Sequence, residues 1–325
     1  MSTRDKLLAR LKAAKGEWVS GEGLSGELSV SRAAISKQVA RLKAEGYGIS
    51  AAPRKGYRLE EITDRLLPGE ILARLGEGRF GRGEIHYFDT VDSTNTRAKA
   101  LAAAGAAEGT LVLAETQTEG RGRKKRPWFS PDGCGIYLSL ILRPEVAPAD
   151  APRFTLMAAV AVAEAVRAYA GLPVTIKWPN DILAGGRKLS GILTEMSMEM
   201  DAVDHIVVGL GLNVNTEREA FPAEVSGIAT SIRAETGERV DRAGLLAEIL
   251  ARFEVCYALM ESEGFQPVLK RWKALSDIIG KRVAVEMIGK RIEGRVKDVD
   301  ENGILIVEDE EGRIAPIISG DVTLL

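Results

Sequence analysis

The sequence contains few of the residues that form covalent cross-links or protein-built metal sites. It has two cysteines, Cys134 and Cys256, and two histidines, His86 and His205, among 325 residues. No Cys-x-x-Cys pair occurs, and neither histidine has a metal-ligating neighbour at useful spacing, which argues against a disulfide framework and against zinc. We interpret both histidines as structural and predict that the chain itself builds no metal site.

Long apolar runs are also absent. No stretch of about 18 apolar residues is present to span a membrane, and the polar start Met1-Ser-Thr-Arg lacks an apolar signal core. We therefore expect a cytoplasmic protein. A Walker A motif and a dinucleotide-binding fingerprint are missing too, because Gly209-Leu-Gly211 lies in a strand-like run and is followed by Asn213 rather than by a helix.

Charge is divided unevenly along the chain. Residues 1–60 hold 12 Lys and Arg against 6 Asp and Glu, whereas the remainder holds 32 basic and 40 acidic residues. A basic head before an acidic body suggests that only the head contacts nucleic acid, although a chance surface excess would explain the same counts.

The first sixty residues have the pattern of a winged helix-turn-helix. Leucines at helical spacing predict two helices before the tight turn Ser29-Val-Ser31, in which Ser31 is placed to cap a third helix, Arg32–Glu45. Strands at Tyr47–Ala52 and Tyr57–Leu59 would form the wing. The side chains that we expect to contact DNA are Ser31, Arg32, Ser36, Lys37, Arg41, Arg54 and Lys55. A small helical interaction domain with a solvated basic face is the alternative.

The region from about 80 to 270 alternates strand-like and helix-like runs. Strands are predicted at Ile85–Phe88, Leu111–Ala114, Ile136–Leu142, Val174–Trp178, Ile182–Leu183, Leu189–Met196 and Ile206–Asn213, and helices at Asp64–Leu75, Phe154–Ala170 and Leu245–Glu263. This order predicts a mixed sheet covered by helices.

Polar and basic clusters in this region are candidates for a ligand site. Asp92-Ser-Thr-Asn95 stands directly before a helical run, where its side chains either cap the helix or hold a polar ligand group. Residues 121–126 carry five basic side chains with no acid among them. We expect this loop to stay mobile until an anion such as phosphate binds; a solvated surface loop or a second nucleic-acid patch are the alternatives.

Two further clusters combine glycine with polar residues. Lys177-Trp-Pro-Asn-Asp181 precedes a Gly185-Gly186 hairpin turn, after which Lys188 begins the returning strand and is placed to meet a carboxylate and a phosphate. A lysine after a hairpin turn is, however, often merely solvated. In Gly209-Leu-Gly-Leu-Asn213 the glycines leave one face of a strand bare, so we expect another group to pack there.

In this order and at these distances, the clusters resemble biotin protein ligases of the bifunctional type that also repress biotin biosynthesis. The resemblance covers nearly the whole chain. Its most specific part is Glu115-Thr-Gln-Thr-Glu-Gly-Arg-Gly-Arg123 followed by Trp128-Phe-Ser-Pro131, and Arg187-Lys-Leu-Ser-Gly-Ile-Leu193 is similar as well. In the head, Ser31-Arg-Ala-Ala-Ile-Ser-Lys37 and Lys55-Gly-Tyr57 resemble the repressor members.

The resemblance implies a role for each of these residues. Biotin would be bound by Ser93, Thr94, Asn95, Gln117, Arg121, Gly122, Arg123 and Lys188, of which Arg123 and Lys188 would be catalytic. ATP would be bound by Arg126, Trp128, Lys177, Asn180 and Asn213. Lys125 and Pro127 depart from the family pattern, which leaves the mobility of the basic loop in doubt.

The resemblance also implies a reaction and its partners. The biotin carboxylate would attack the α-phosphorus of ATP, with Mg²⁺, to give biotinyl-5′-AMP, and a lysine amine of a biotin carboxyl carrier protein would then accept biotin. No side-chain nucleophile is needed, which agrees with the absence of a Ser-His or Cys-His arrangement. A homodimer promoted by the adenylate, paired through the sheet near residues 205–215, would present two heads to operator DNA.

The implied fold is α+β with three domains. Residues 1–63 would form the winged helix-turn-helix, residues 64–274 a catalytic domain with a central mixed sheet like that of class II synthetases, and residues 275–325 an SH3-like β-barrel. In this last part, short strands are predicted at Arg282–Met287, Arg291–Asp298, Gly303–Glu308 and Arg313–Ile317, with turns at Ile288-Gly289 and Glu301-Asn-Gly303.

Three other interpretations stay open. A lipoate ligase shares the catalytic architecture, but the arginine-glycine loop followed by Trp-Phe-Ser-Pro favours biotin. A non-catalytic, biotin-sensing repressor is disfavoured because Lys188 and Arg121 to Arg123 are present. A ligase whose head no longer binds an operator is disfavoured, less strongly, by the segment Ser31–Lys37.

Overall fold

A computed structural model describes residues 2–287 and 289–325. The chain divides into two compact units, one ending at Arg65 and one beginning at Leu66. The turn predicted at Ile288-Gly289 involves Ile288, which lies outside the described residues. Within the described ranges, no helix combines the length and apolar character that a membrane crossing requires.

The first unit is a winged helix-turn-helix, as predicted. Its elements are α1 Thr3–Ala13, α2 Gly21–Leu28, α3 Arg32–Ala44, β1 Gly48–Ala52 and β2 Gly56–Glu61, the two strands being antiparallel. Ser29 adopts the left-handed conformation with φ of 53°, which makes the tight turn, and the Ser31 side chain accepts a hydrogen bond from Ala34 N. Helix α3 ends one residue before the predicted Glu45, because Glu45 is its C-cap.

A small leucine-rich core holds this unit together. Its fully buried side chains are Leu7, Leu24, Ile35 and Leu42. They come from all three helices at the spacings that place them on one face of each, so burial of this face fixes the angle at which α3 leaves the turn.

The second unit is built on a mixed sheet of seven strands. Its elements up to residue 275 are α4 Pro68–Leu72, β3 Ile85–Val91, α5 Thr94–Ala103, β4 Leu111–Gln117, β5 Gly135–Leu142, α6 Ala151–Ala170, β6 Thr175–Lys177, β7 Asp181–Ala184, β8 Arg187–Glu199, β9 Ala202–Asn213, α7 Ala223–Ser226, α8 Ile232–Thr236, α9 Arg242–Glu263 and α10 Gln266–Leu275. The strand order is β3-β4-β5-β9-β8-β7-β6, with β3 and β4 parallel and the other neighbours antiparallel.

Helix α6 forms the centre of the core behind the sheet. Of its 20 residues 12 are buried, and most of these are alanine or valine. A helix buried on several sides packs on more than one layer, and α6 contacts α9, α10 and strand β8. The small side chains permit this close packing, and α5 packs on part of the opposite face of the sheet.

Helices α4 and α10 differ most from the sequence prediction, and the short helices α7 and α8 were not predicted either. The helix expected over Asp64–Leu75 is only α4, because Pro68 starts it at its first position and the backbone N–H of Leu66 instead donates to the buried carboxylate of Glu115 at 2.7 Å. Helix α10 was not predicted. It buries Val268, Leu269, Trp272 and Leu275.

The last fifty residues form the predicted antiparallel sheet, with one strand more than expected. Its strands are β10 Arg282–Met287, β11 Lys290–Val299, β12 Leu305–Glu308, β13 Ile314–Ile317 and β14 Asp321–Leu324, in the order β13-β12-β11-β10-β14. The additional strand β14 pairs with β10 and begins with Asp321. The indole N–H of Trp178 donates to the carbonyl of Gly303 at 3.0 Å, so the C-terminal sheet packs against the end of the seven-stranded sheet.

Candidate functional site

A cavity of about 110 Å³ lies on the sheet face that α6 does not cover. It is lined by eleven of the thirteen predicted ligand residues: Ser93, Thr94, Asn95, Gln117, Arg121, Gly122, Arg123, Arg126, Trp128, Asn180 and Lys188. These come from α5, from β4 and the loop after it, and from strands β7 and β8 or the residue before them. The fold therefore gathers four separate sequence clusters around one space.

Lys177 and Asn213 do not line this cavity. Lys177 is the last residue of β6 and pairs in register with Asp181 of β7. Asn213 is buried, and its side-chain amide donates to the carbonyl of Thr230 at 2.9 Å. Asn213 thus fixes the segment before α8, and in this structure it contributes to the site only through that segment.

The cluster Asp92–Asn95 both caps a helix and lines the cavity. Ser93 is the N-cap of α5 and accepts a hydrogen bond from Thr96 N. The backbone N–H of Thr94 donates to Gln117 Oε1 at 2.9 Å, which ties the helix start to strand β4. The two alternatives that the sequence left open for this cluster are therefore compatible, because capping uses only part of its hydrogen-bonding capacity.

The bare face of β9 is filled by two side chains of the site, which confirms the expectation from its glycines. A Cβ atom at Gly209 would stand 2.0 Å from Asn95 Oδ1, and one at Gly211 would stand 2.4 Å from the Trp128 ring. At these two positions the backbone of β9 lies closer to the facing side chain than a residue with a Cβ atom would allow. Glycine at these two positions is thus a requirement of the site.

Three of the five basic side chains of the loop contact acids that are distant in sequence, so part of the charge is balanced although no acid lies within the loop. Asp321 of β14 accepts from Lys124 Nζ at 2.9 Å and from Arg126 Nη2 at 2.6 Å. Arg123 Nη1 donates to the carbonyl of Gly320 at 3.2 Å. Arg121 Nη2 lies 3.8 Å from a carboxylate oxygen of Glu195. The C-terminal sheet thereby holds the loop over the cavity.

Asp321 stays ionised in this position. Partial burial raises the pKa of Asp321, but the hydrogen bond from Lys124 and the charge of Arg126 outweigh that effect, and the net pKa is lowered. Since the clamp needs a carboxylate, it is present at neutral pH and is lost only as the pH falls through this lowered pKa.

Lys188 lines the cavity and lies beside a carboxylate and an aromatic ring. Its Nζ lies 2.7 Å from Asp181 Oδ1 and 5.5 Å from the centre of the Trp128 ring. Its main chain is fixed as well, since its N–H donates to the carbonyl of Ile228 at 2.7 Å and its carbonyl accepts from Thr230 N at 2.9 Å. An ammonium held in this way is available to an incoming carboxylate or phosphate, which would replace or join Asp181.

Four residues of the site were not identified from the sequence: Ser139, Asp181, Glu195 and Asp321. Ser139 did carry a signal, since it is the one serine inside the apolar run Ile136–Leu142. Asp181 belongs to a quoted motif but was assigned no role. Glu195 and Asp321 had no local signal, because their partners lie on other elements.

In the first unit, all seven residues predicted to contact DNA are exposed. Arg32 forms an exposed ion pair with Glu22 at 2.7 Å, and Arg41 pairs with Glu45 at 3.1 Å. Trp18, which was not predicted, lies beneath the charges of Lys55 and Arg58 at 5.8 and 5.0 Å. Exposed pairs of this kind cost little to open, so the arginines are free to exchange carboxylate for phosphate.

Comparison with known proteins agrees with this geometry. Family models match residues 87–213 (biotin/lipoate A/B protein ligase family), 3–58 (HTH domain) and 278–325 (biotin protein ligase C terminal domain). The biotin protein ligase from Aquifex aeolicus, solved in complex with biotin and ATP, is 29% identical with a TM-score of 0.64; the match covers 75% of this chain and 99% of that chain.

Two curated relatives match from end to end. The bifunctional ligase/repressor BirA of Bacillus subtilis (strain 168) is 40% identical over 99% of this chain and 98% of its own length. The protein of the same name from Escherichia coli (strain K12) is 35% identical over 98% of this chain and 96% of its own length. Both the site and the head lie within these matches, and the chain belongs to the biotin protein ligase family, among its bifunctional ligase/repressors.

Proposed function

We propose that this protein activates biotin with ATP and transfers it to a lysine of an acceptor protein. The observation that carries the proposal is the single cavity that brings Lys188 and Arg123 together with the polar group around Thr94. Biotin has a carboxylate and a ring urea, and the cavity is lined both by cationic side chains and by hydroxyl and amide groups.

The charges of the site suit the first half-reaction. One oxygen of the biotin carboxylate forms a bond to the α-phosphorus of ATP while the bond to pyrophosphate breaks. Both reactants are anionic, so their approach requires fixed cations, and Arg123 and Lys188 supply them. The indole N–H of Trp128 is buried and lacks a hydrogen-bond partner within the described ranges, which leaves it available to the nucleotide.

The second half-reaction requires no group from the chain as a nucleophile. The acceptor amine attacks the carbonyl carbon of biotinyl-5′-AMP, AMP leaves, and the amine loses a proton. Water would attack the same carbon, and the loop held by Asp321 limits its access. We propose a biotin carboxyl carrier protein as the acceptor, and the domain limits 1–63, 64–274 and 275–325 as the functional divisions of the chain.

Mg²⁺ fits this site as an ion that arrives with ATP. Among residues 2–287 and 289–325, no group of three or more His, Cys, Asp or Glu is placed to hold a metal. Mg²⁺ commonly takes one or two carboxylates together with substrate phosphates and water, and Asp181 at the cavity wall offers one carboxylate. Bound there, the ion would reduce the negative charge on the phosphates.

The test is pyrophosphate release from ATP and Mg²⁺ with biotin or lipoate and without an acceptor. We expect release with biotin, limited to about one equivalent per site because the adenylate is retained, and none with lipoate. Release with lipoate alone would be consistent with the fold but would contradict biotin as the substrate. Release with neither would favour a biotin-sensing repressor without catalysis.

We further propose that the head binds operator DNA as part of a homodimer promoted by biotinyl-5′-AMP. The exposed basic residues of α3 and the wing support DNA binding, and a two-fold protein suits an inverted-repeat site. We expect biotin with ATP to increase the sedimentation coefficient of the full chain. An unchanged coefficient at micromolar protein would reject the coupling between adenylate and dimer.

A further inference from the structure

A continuous hydrogen-bond chain runs behind the polar end of the cavity. It begins at Glu195, whose carboxylate accepts from Asn95 Nδ2 at 2.9 Å and from Lys99 Nζ at 2.9 Å. It continues through Ser139 Oγ, which lies 2.6 Å from Asn95 Oδ1 and 2.9 Å from Thr94 Oγ1. Ser139, Asn95 and Thr94 are all at most 5% exposed, so water does not compete for these bonds.

The groups at the two ends of this hydrogen-bond chain determine which of its members donate and which accept. Asn95 Nδ2 faces the Glu195 carboxylate and, at 3.2 Å, the carbonyl of Leu193, which are both acceptors only. The amide oxygen of Asn95 must therefore face Ser139, and because that oxygen cannot donate, the Ser139 hydroxyl gives it its single proton. The Thr94 hydroxyl then has two acceptors in reach, Ser139 Oγ at 2.9 Å and Gln117 Oε1 at 3.2 Å, and we assign its proton to the nearer one, because two hydroxyl oxygens at 2.9 Å need a proton between them.

A second fixed amide completes the arrangement. Gln117 Oε1 accepts from the backbone N–H of Thr94, and Gln117 Nε2 lies 3.2 Å from Ser130 Oγ. Gln117 Oε1 is also 3.2 Å from Thr94 Oγ1. With the Thr94 proton directed to Ser139, Thr94 Oγ1 lacks a donor, and beside it at the cavity wall Gln117 Oε1 keeps one lone pair beyond the bond from Thr94 N–H.

We propose that Glu195 is a specificity-determining positioning residue, which makes Thr94 and Gln117 a paired acceptor for a ring N–H of the ligand. Glu195 does not contact the ligand in this proposal; it acts through Asn95 and Ser139. A cyclic urea supplies such an N–H, whereas a ring without a donor would leave Thr94 Oγ1 unpaired beside Gln117 Oε1. This inference rests on the proposed function and adds to it the residue that orients the acceptors for the ring N–H.

Glu195→Gln is expected to reverse the direction in which the hydrogen bonds of this network are donated. Lys99 can only donate, so it takes the one oxygen of the new amide and turns its NH₂ group towards Asn95. Asn95 must then rotate, Ser139 donates to Thr94, and Thr94 donates to Gln117, which consumes the acceptor pair.

The experiment compares dissociation constants, by calorimetry on the full chain, for biotin and for the two biotins methylated on one or the other ring nitrogen. For wild type, we expect one methylated isomer to bind about 10–100-fold more weakly than biotin, the loss of a hydrogen bond at a desolvated site. In E195Q the affinity for biotin should fall while that for this isomer stays, so that their ratio drops at least about fivefold.

Ser139→Ala provides a second route to the same result if E195Q does not fold, because without Ser139 the Thr94 hydroxyl turns to Gln117. The matched control is Ser190→Ala, which removes another fully buried serine hydroxyl, bonded to the carbonyl of Gly211, on neighbouring strand β8. Its ratio should equal that of wild type. An equal loss of affinity for biotin and both methylated forms in S139A and E195Q would overturn the inference alone. If wild type did not bind biotin, the proposed function would fail and this inference with it.

Discussion

Lys188→Gln is expected to lower the maximal rate of adenylate formation by about 10²–10³-fold, the usual cost of removing one group that stabilises developing charge. The ammonium is held 2.7 Å from Asp181 at the cavity wall, where two anionic substrates must meet. Glutamine keeps a hydrogen bond to Asp181 but has no charge. The measurement is pyrophosphate release at saturating biotin and ATP.

The transfer step separates this role from a general loss of structure. Attack of a neutral amine on preformed biotinyl-5′-AMP does not bring two anions together, so K188Q supplied with synthetic adenylate should transfer biotin within about tenfold of the wild-type rate. The matched control is Arg187→Gln, which removes the neighbouring basic residue and its ion pair with Glu235 outside the cavity. An equal fall in both variants, or an unchanged K188Q, would contradict the assignment.

The local chemistry of the site was predictable from sequence because each cluster carries its reason within a few residues. The glycines of β9 predicted a packing partner, and the Ser31 cap predicted the start of α3, since both depend on backbone geometry nearby. Helix α10 also carried a signal that was not used: Val268, Trp272 and Leu275 recur at helical spacing after Pro267.

The partners of these clusters were not predictable, because they come from elsewhere in the fold. Asp321 reaches the basic loop across nearly 200 residues, in a short strand without a distinctive pattern. Glu195 meets Asn95 across 100 residues. Sequence periodicity shows which face of an element is buried, but it does not show which element faces it.

Arg242→Met is expected to destabilise the second unit by about 3–5 kcal/mol, because it strands a buried carboxylate. Arg242 Nη1 lies 2.9 Å from Glu115 Oε2, and the two side chains are 1% and 0% exposed. Arg242 also donates to the carbonyl of Gly135 at 2.9 Å, and Glu115 accepts from Leu66 N. Unfolding in urea measures the loss, in a Trp18→Phe background so that only the tryptophans of the second unit report.

Two further variants decide whether the stranded charge is the cause. Arg252→Met makes the same substitution on the same helix at a partly exposed pair with Glu248, and should cost at most about 1 kcal/mol. In R242M/E115Q the buried charge is gone, while an amide oxygen still accepts from Leu66, so most of the lost stability should return. If the double variant is no more stable than R242M, packing of the Arg242 side chain outweighs its charge. The pair Arg242–Glu115 joins the starts of β5 and α9 to the segment before α4. The change in the free energy of unfolding therefore measures how much this pair stabilises the structure behind the ligand cavity.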